Sequence, residues 1–329
     1  MRVRGGESSR RRRYNAAMNP ARQRARSIEF AAAAAVVATS VMLGGCSIKK
    51  FAIRKLGDAL AEGGSTYAKD DDPELIRGAV PFGLKLTESL LEQTPDHLGL
   101  LTAAASGFTQ YAYAFVHEDA DEVEDRDMPA AAALRVRARR LYLRGRDYAL
   151  RGLDVSHPGF QTALRADPVR ALATADAGDV PLLYWAGASW GGAISLSKDD
   201  PDMVADLSLV GALLQRALSL DEAWDAGSIH EFMISYEGAR SDAMGGSVAR
   251  ARAHFDRALE LSKGNRAAPL INLAENVSIR NQDRAEFVAL LNRAIAVDVD
   301  ARPEWRLVNL VLKRRARWLL SRADLLFAD

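Results

Sequence analysis

The chain has 329 residues, 48% of them hydrophobic and 26% charged, with a net charge of +1 and one cysteine. That length suits one large domain or a repeat array, and a lone cysteine excludes an intramolecular disulfide. Residues 1–45 hold nine arginines and two glutamates, so without them the +1 becomes −6, and a mildly acidic body gives no electrostatic basis for binding nucleic acid.

Residues 1–45 read as a signal peptide of the lipoprotein type. A basic start leads into the run from Ala31 to Gly45. At about 15 residues this run is shorter than the ~20 that an ordinary membrane span needs. Leu43-Gly44-Gly45-Cys46 resembles a bacterial lipobox, with cleavage before Cys46 and acyl chains such as palmitate on the mature cysteine. Met18 to Gly45 has the same layout by itself, which makes Met18 an alternative start. Ser47 after the lipidated cysteine implies, by analogy with other lipoproteins, sorting to the outer membrane. Residues 46–72 are then a lipid-anchored N-terminal segment and linker. It contains a basic amphipathic stretch from Ile48 to Leu60, and Gly63-Gly64-Ser65 and Asp70-Asp71-Asp72-Pro73 interrupt it.

Residues 73–329 form the predicted helical domain. Asp72-Pro73-Glu74 is a helix start: a capping side chain, proline at the first position and an acid in the first turn. Apolar residues then recur three and four apart, as at Leu207, Val210, Leu213, Leu214, Ala217 and Leu218. Strand and hairpin signals are scarce. The pattern predicts an all-α fold of about a dozen helices, punctuated near Pro95, Pro158, Pro168, Pro201 and Gly264. Seven acids between Glu118 and Asp127 lack the spacing and central glycine of a calcium loop, so they read as a hydrated loop.

Leu214-Gln215-Arg216-Ala217-Leu218, Phe255-Asp256-Arg257-Ala258-Leu259 and Leu291-Asn292-Arg293-Ala294-Ile295 share one pattern, with alanines 41 and 36 residues apart. Small alanines let helices approach closely, and this spacing is near the ~34-residue period of tetratricopeptide repeats. The expectation is a cryptic, tetratricopeptide-like α-α superhelix with Ala258 at a close helix contact.

Chemical motifs are few. Gly187-Ala188-Ser189-Trp190-Gly191 spells a nucleophile elbow, which requires a strand before Ser189 and a parallel sheet around it. Neither is predicted, so no catalytic residue is assigned and the protein is not read as an enzyme. His230-Glu231 begins like a zinc-protease helix, but Ile234 stands where the second histidine belongs; no metal site and no cofactor is expected. Tyr113, Tyr184, Trp185 and Trp190 are the candidate ligand-binding residues. An aromatic stripe lines a groove or fills a core. Gly187, Gly191 and Gly192 beside these aromatics favour a cavity wall, because glycines weaken a helix unless something approaches its backbone.

Several segments resemble the TRAP transporter T-component family. They are Asp70-Asp71-Asp72-Pro73-Glu74-Leu75, Pro81-Phe82-Gly83-Leu84-Lys85, Tyr142-Leu143-Arg144-Gly145-Arg146-Asp147-Tyr148, Tyr184-Trp185-Ala186-Gly187-Ala188-Ser189-Trp190-Gly191, Gly245-Gly246 and Arg317-Trp318-Leu319-Leu320. The resemblance covers residues 46–329. It implies a tetratricopeptide-repeat lipoprotein on the periplasmic face of the envelope, with an apolar pore or cleft through the domain. Its partner would be a TRAP-type periplasmic solute-binding protein, and a homotrimer is compatible with it. The function expected is binding and adaptation, with a small, partly apolar ligand. The alternative is a structural envelope-assembly lipoprotein without one.

Overall fold

A computed structural model describes residues 54–59 and 64–327, which leaves the leader and Cys46 outside the described residues. The described residues contain helices, turns and loops but no strand. The elements are α1 (54–59), α2 (Gly64–Ala68), α3 (Pro73–Gln93), α4 (Leu98–Ala112), α5 (Glu118–Val123), α6 (Met128–Ser156), α7 (Phe160–Ala166), α8 (Pro168–Ala173) and α9 (Val180–Ser195). They continue as α10 (Pro201–Ala205), α11 (Leu207–Leu220), α12 (Ser228–Gly238), α13 (Val248–Ser262), α14 (Ala268–Leu273), α15 (Arg284–Ala296), α16 (Arg306–Ser321) and α17 (Ala323–Leu326). Two π-helical turns interrupt this pattern: Tyr113–His117 joins α4 to α5, and Ala274–Ser278 continues α14.

The Asp and Pro punctuation starts helices. Asp72 accepts hydrogen bonds from the Glu74 and Leu75 amides, and Asp127, Asp167 and Asp200 each cap a helix with proline in its first two positions. Each cap satisfies an amide that the helix itself leaves free. The segment Pro201–Leu220 is apolar and long enough by composition to cross a membrane. Its residues Val210, Leu213, Leu214 and Ala217 are wholly buried against the core that includes α9, as in a core helix.

Three apolar cores follow one another. The first joins α6 to α9, α11 and α12; the second joins α12 to α16; the third joins α3, α4 and α6. Several polar contacts join positions about forty residues apart. Asn272 donates to the Glu231 carbonyl and Asn276 to the Ser235 hydroxyl, both 41 residues earlier. Asn309 accepts from the Ala267 amide 42 residues earlier, and Arg315 pairs with Glu275 40 residues earlier.

The repeated alanines 217, 258 and 294 are all fully buried. At Ala258 the neighbouring backbone is near: a Cβ added to Gly227, just before α12, would lie 3.4 Å from the Ala258 Cα. Ala258→Leu is therefore expected to cost about 1–3 kcal/mol through overpacking. A shift in denaturant midpoint checks this, and an unchanged midpoint would place the helix contact elsewhere.

The two ends of the array meet. Val311 of α16 lies in the third core, and Arg306 donates to the Lys69 carbonyl at 2.9 Å. Most of the acids expected to form a hydrated loop are instead paired, and the first four lie in α5. Arg77 and Arg314 bind Asp119; Arg314 binds Glu122 at 2.6 Å; Arg315 binds Asp121 at 2.9 Å; Arg135 binds Asp121 and Glu124; Arg322 binds Asp125. Three of these arginines stand some 195 residues further along the chain, so the acid run seals the first helices to the last.

Candidate functional site

α9 and the turn before α12 bring aromatic side chains together. The Tyr184 ring lies 4.9 Å from Trp185 and 4.8 Å from Trp224. Trp224 opens a strained turn in which Asp225 (φ 45°), Ala226 (φ 52°) and Gly227 (φ 96°) are all left-handed. Left-handed geometry costs an ordinary residue about 1–3 kcal/mol, so surrounding contacts must impose it. Arg266 does so, donating at 3.2 Å to both the Asp225 carbonyl and its carboxylate, while Ser228 donates to the same carboxylate at 2.5 Å. Arg266 is itself held by Glu231 and sits 5.3 Å from the Trp305 ring centroid. Burial pushes the Tyr184 hydroxyl and the Glu231 carboxyl up, and the neighbouring acids add to the shift at Tyr184. The Tyr184 ring nevertheless keeps some accessible surface.

Trp190 is not part of that aromatic cluster. It is 1% exposed in the first core, with Arg146 5.0 Å and Arg165 5.4 Å from its ring. The glycines around it have an internal explanation. An added Cβ would meet Leu214 at 2.8 Å from Gly187, Phe232 at 2.6 Å from Gly191 and Tyr142 at 2.7 Å from Gly192. Neighbouring helices, rather than a cavity, fill the space these glycines open, and Trp190 stands in the core instead of on a wall.

Tyr113 lies elsewhere, in the first π-turn, between the second and third cores. Around it are His117, Glu118, Tyr142, Glu275 and Arg315. The structure thus brings Tyr184 and Trp185 together, adds Trp224, and places Trp190 and Tyr113 in other environments. A surface cleft of about 430 Å³, lined by Leu207, Gly211, Ala212, Tyr236, Arg240 and Met244 among others, contains none of the four.

Ser189 is in mid-helix and fully buried, and its hydroxyl donates back to the Trp185 and Ala186 carbonyls. It is no nucleophile elbow. His230 meets His254, with their Nδ1 atoms 2.8 Å apart. Burial and the facing His230 imidazole pull His254 down to about 4, and burial lowers His230 as well. The folded protein keeps His254 neutral where the unfolded chain would protonate it. Stability is therefore full above pH ~6.5 and is lost as pH falls toward 4. His254→Gln is expected to flatten that acid limb in thermal melts; an unchanged limb would place the sensitivity at other groups.

Residues 69–327 match the family described as TRAP transporter T-component. The chain belongs to the TRAP transporter T-component family. It is also 28% identical over 310 residues to an uncharacterized protein of Treponema pallidum (strain Nichols), an alignment covering 89% of this chain and 96% of that relative. Membership in the T-component family associates the chain with a TRAP transport system. Within this T-component, Arg266 and Glu231 carry no motif that marks them as site residues. Glu231 lies in α12 and Arg266 in the loop before α14, 35 residues apart, so no local spacing pairs them.

Proposed function

We propose that the chain is a lipid-anchored periplasmic adaptor and binding protein of a TRAP-type system. It docks a solute-binding protein and holds a small, partly apolar ligand against Tyr184, Trp185 and Trp224. The family match over residues 69–327 carries the transport association. The strained turn at Asp225 and Ala226 supports this ligand site, because strain of this kind collects where a ligand is clamped. The anchor is Cys46, outside the described residues, and it would place the domain on the outer membrane. The same reading admits a homotrimer.

The test has three arms. The full-length chain should form a complex with its cognate solute-binding protein in calorimetry, and absence of any complex would overturn the adaptor reading. Native mass spectrometry should show a co-purified small molecule that Tyr184→Ala/Trp185→Ala loses. If the wild-type protein carries none, the structural-assembly reading takes over; the filled glycine pockets and the buried Trp190 favour that reading. Fatty-acid labelling should disappear in Cys46→Ser.

A further inference from the structure

The outward face of α6 carries a line of arginines that the rest of the fold does not neutralise. Arg137, Arg140, Arg144 and Arg151 fall within about 60° of one another around the helix and span about 21 Å along it. Arg137, Arg140 and Arg144 are exposed, and Arg151 is half-buried. Elsewhere arginines close on carboxylates, as Arg135, Arg252, Arg257 and Arg314 do. In this line only Arg144 touches one, and it shares Glu88 with Lys85 of α3. Asp147, beside the line, is taken by Arg146 at 2.7 Å. Arg137 lies 5.9 Å from the Tyr111 ring centroid and Arg144 4.8 Å from that of Phe108, while Arg151 donates to the Pro95 carbonyl at 2.6 Å. Neutral partners of this kind hold the side chains in place and leave their charge uncompensated. We propose that this face of α6, with Phe82 and Lys85 of α3, lies on an anionic phospholipid surface.

The route of the chain favours a membrane over an acidic protein. α1 is pinned to the corner between α3 and α4: Arg54 binds Asp96 at 3.0 Å, and His97 Nε2 meets Asp58 at 3.2 Å. Arg151 binds the same corner through Pro95, the residue before Asp96. Cys46 stands eight residues before Arg54, and eight residues reach at most about 28 Å. A lipid on Cys46 would therefore hold the bilayer within reach of one end of the arginine line. Apolar groups accompany the charges. Val136 is 47% exposed beside Arg137, and Phe82, one turn before Lys85, is 75% exposed. Cations flanked by exposed apolar side chains suit the headgroup boundary, where anionic phosphates meet acyl chains. The choice of a membrane rests on the anchor reading; the uncompensated arginines do not.

The test places a fluorophore on this face of the full-length chain. Cys46→Ser/Ala133→Cys has a single thiol, one turn before Arg137 on the same line, and carries an environment-sensitive nitrobenzoxadiazole dye there. It is titrated with vesicles of equal parts phosphatidylcholine and phosphatidylglycerol, and with phosphatidylcholine alone. The dye should shift to the blue only on the phosphatidylglycerol vesicles, and less so as salt rises. Adding Arg137→Gln/Arg140→Gln should weaken that response about 20–30-fold, at roughly fivefold per lost cation. Lys263→Gln/Arg293→Gln, at exposed positions after α13 and in α15, should leave it unchanged. The arginines of residues 1–45 are present in every variant and cancel from the comparison.

No shift, an equal shift on phosphatidylcholine alone, an unchanged response in Arg137→Gln/Arg140→Gln, or an equal loss in the control pair would each overturn the assignment. An unshifted dye, together with a weaker complex between Arg137→Gln/Arg140→Gln and the solute-binding protein, would give this face to an acidic protein instead. Cys46→Ser carries no acyl chain, so a failed vesicle response leaves the anchor standing, and fatty-acid labelling tests that anchor separately.

Discussion

Replacing Arg266 with alanine is expected to cost about 3–5 kcal/mol, because it leaves a buried charge without its partner. Arg266 is 7% exposed and Glu231 5%. Their Nη2–Oε2 contact is a hydrogen bond at 3.0 Å, and Nε approaches Oε1 at 2.6 Å without hydrogen-bond alignment. The substitution also removes the Arg266 bonds to the Asp225 carbonyl and carboxylate, leaving Ser228 alone to hold the left-handed turn. Burial already raises the Glu231 carboxyl, and losing Arg266 would raise it further. The variant's native state would then hold a proton that its unfolded state sheds above pH ~4.5, so its deficit should grow from pH 5 to pH 7. Arg266→Met with Glu231→Leu should recover most of the loss, since a well-packed apolar pair can replace a buried ion pair. Denaturant melts at both pH values check this, and a deficit below about 1 kcal/mol would show the pair to be solvated.

The second large effect is at Trp190. Truncation to alanine should cost about 3–5 kcal/mol, the usual loss for a large aromatic removed from a packed core. Its indole N–H is buried without a partner, so Trp190→Phe loses no hydrogen bond and should recover much of that stability. The folded fraction of Trp190→Ala should still bind the solute-binding protein as the wild type does. A stable variant with impaired binding would return Trp190 to a ligand-facing role.

What could be read in the chain was local. The caps at Asp72 and Asp167 and the alanines 217, 258 and 294 follow from short-range periodicity, and the structure has helix starts and buried contacts at those positions. The acids at 118–127 were illegible because their arginines are supplied by α16 and Arg322, and no local pattern names a partner that far away. Gly191 and Gly192 correctly signalled a close approach, but spacing alone cannot say whether Phe232 and Tyr142 or a ligand makes it. The strained turn was hidden for a related reason. Asp225 and Ala226 are not glycines, and their geometry is dictated by an arginine 41 residues later.

The contact between α16 and the first helices changes how this molecule can come apart. An open solenoid frays from its termini, and each lost unit leaves the rest intact. Here the first and last helices are fastened to each other, so unzipping from either end must first break that contact. Closing a loop of nearly two hundred residues delays folding until the far contacts form. Once closed, amide exchange in α3 and α16 should report one shared opening rather than two independent ones. The half-exposed ionic part of the fastening weakens with added salt, whereas Val311 in the apolar core does not depend on it. Raising ionic strength should therefore bring the two ends closer to independent fraying while leaving the interior of the array unchanged.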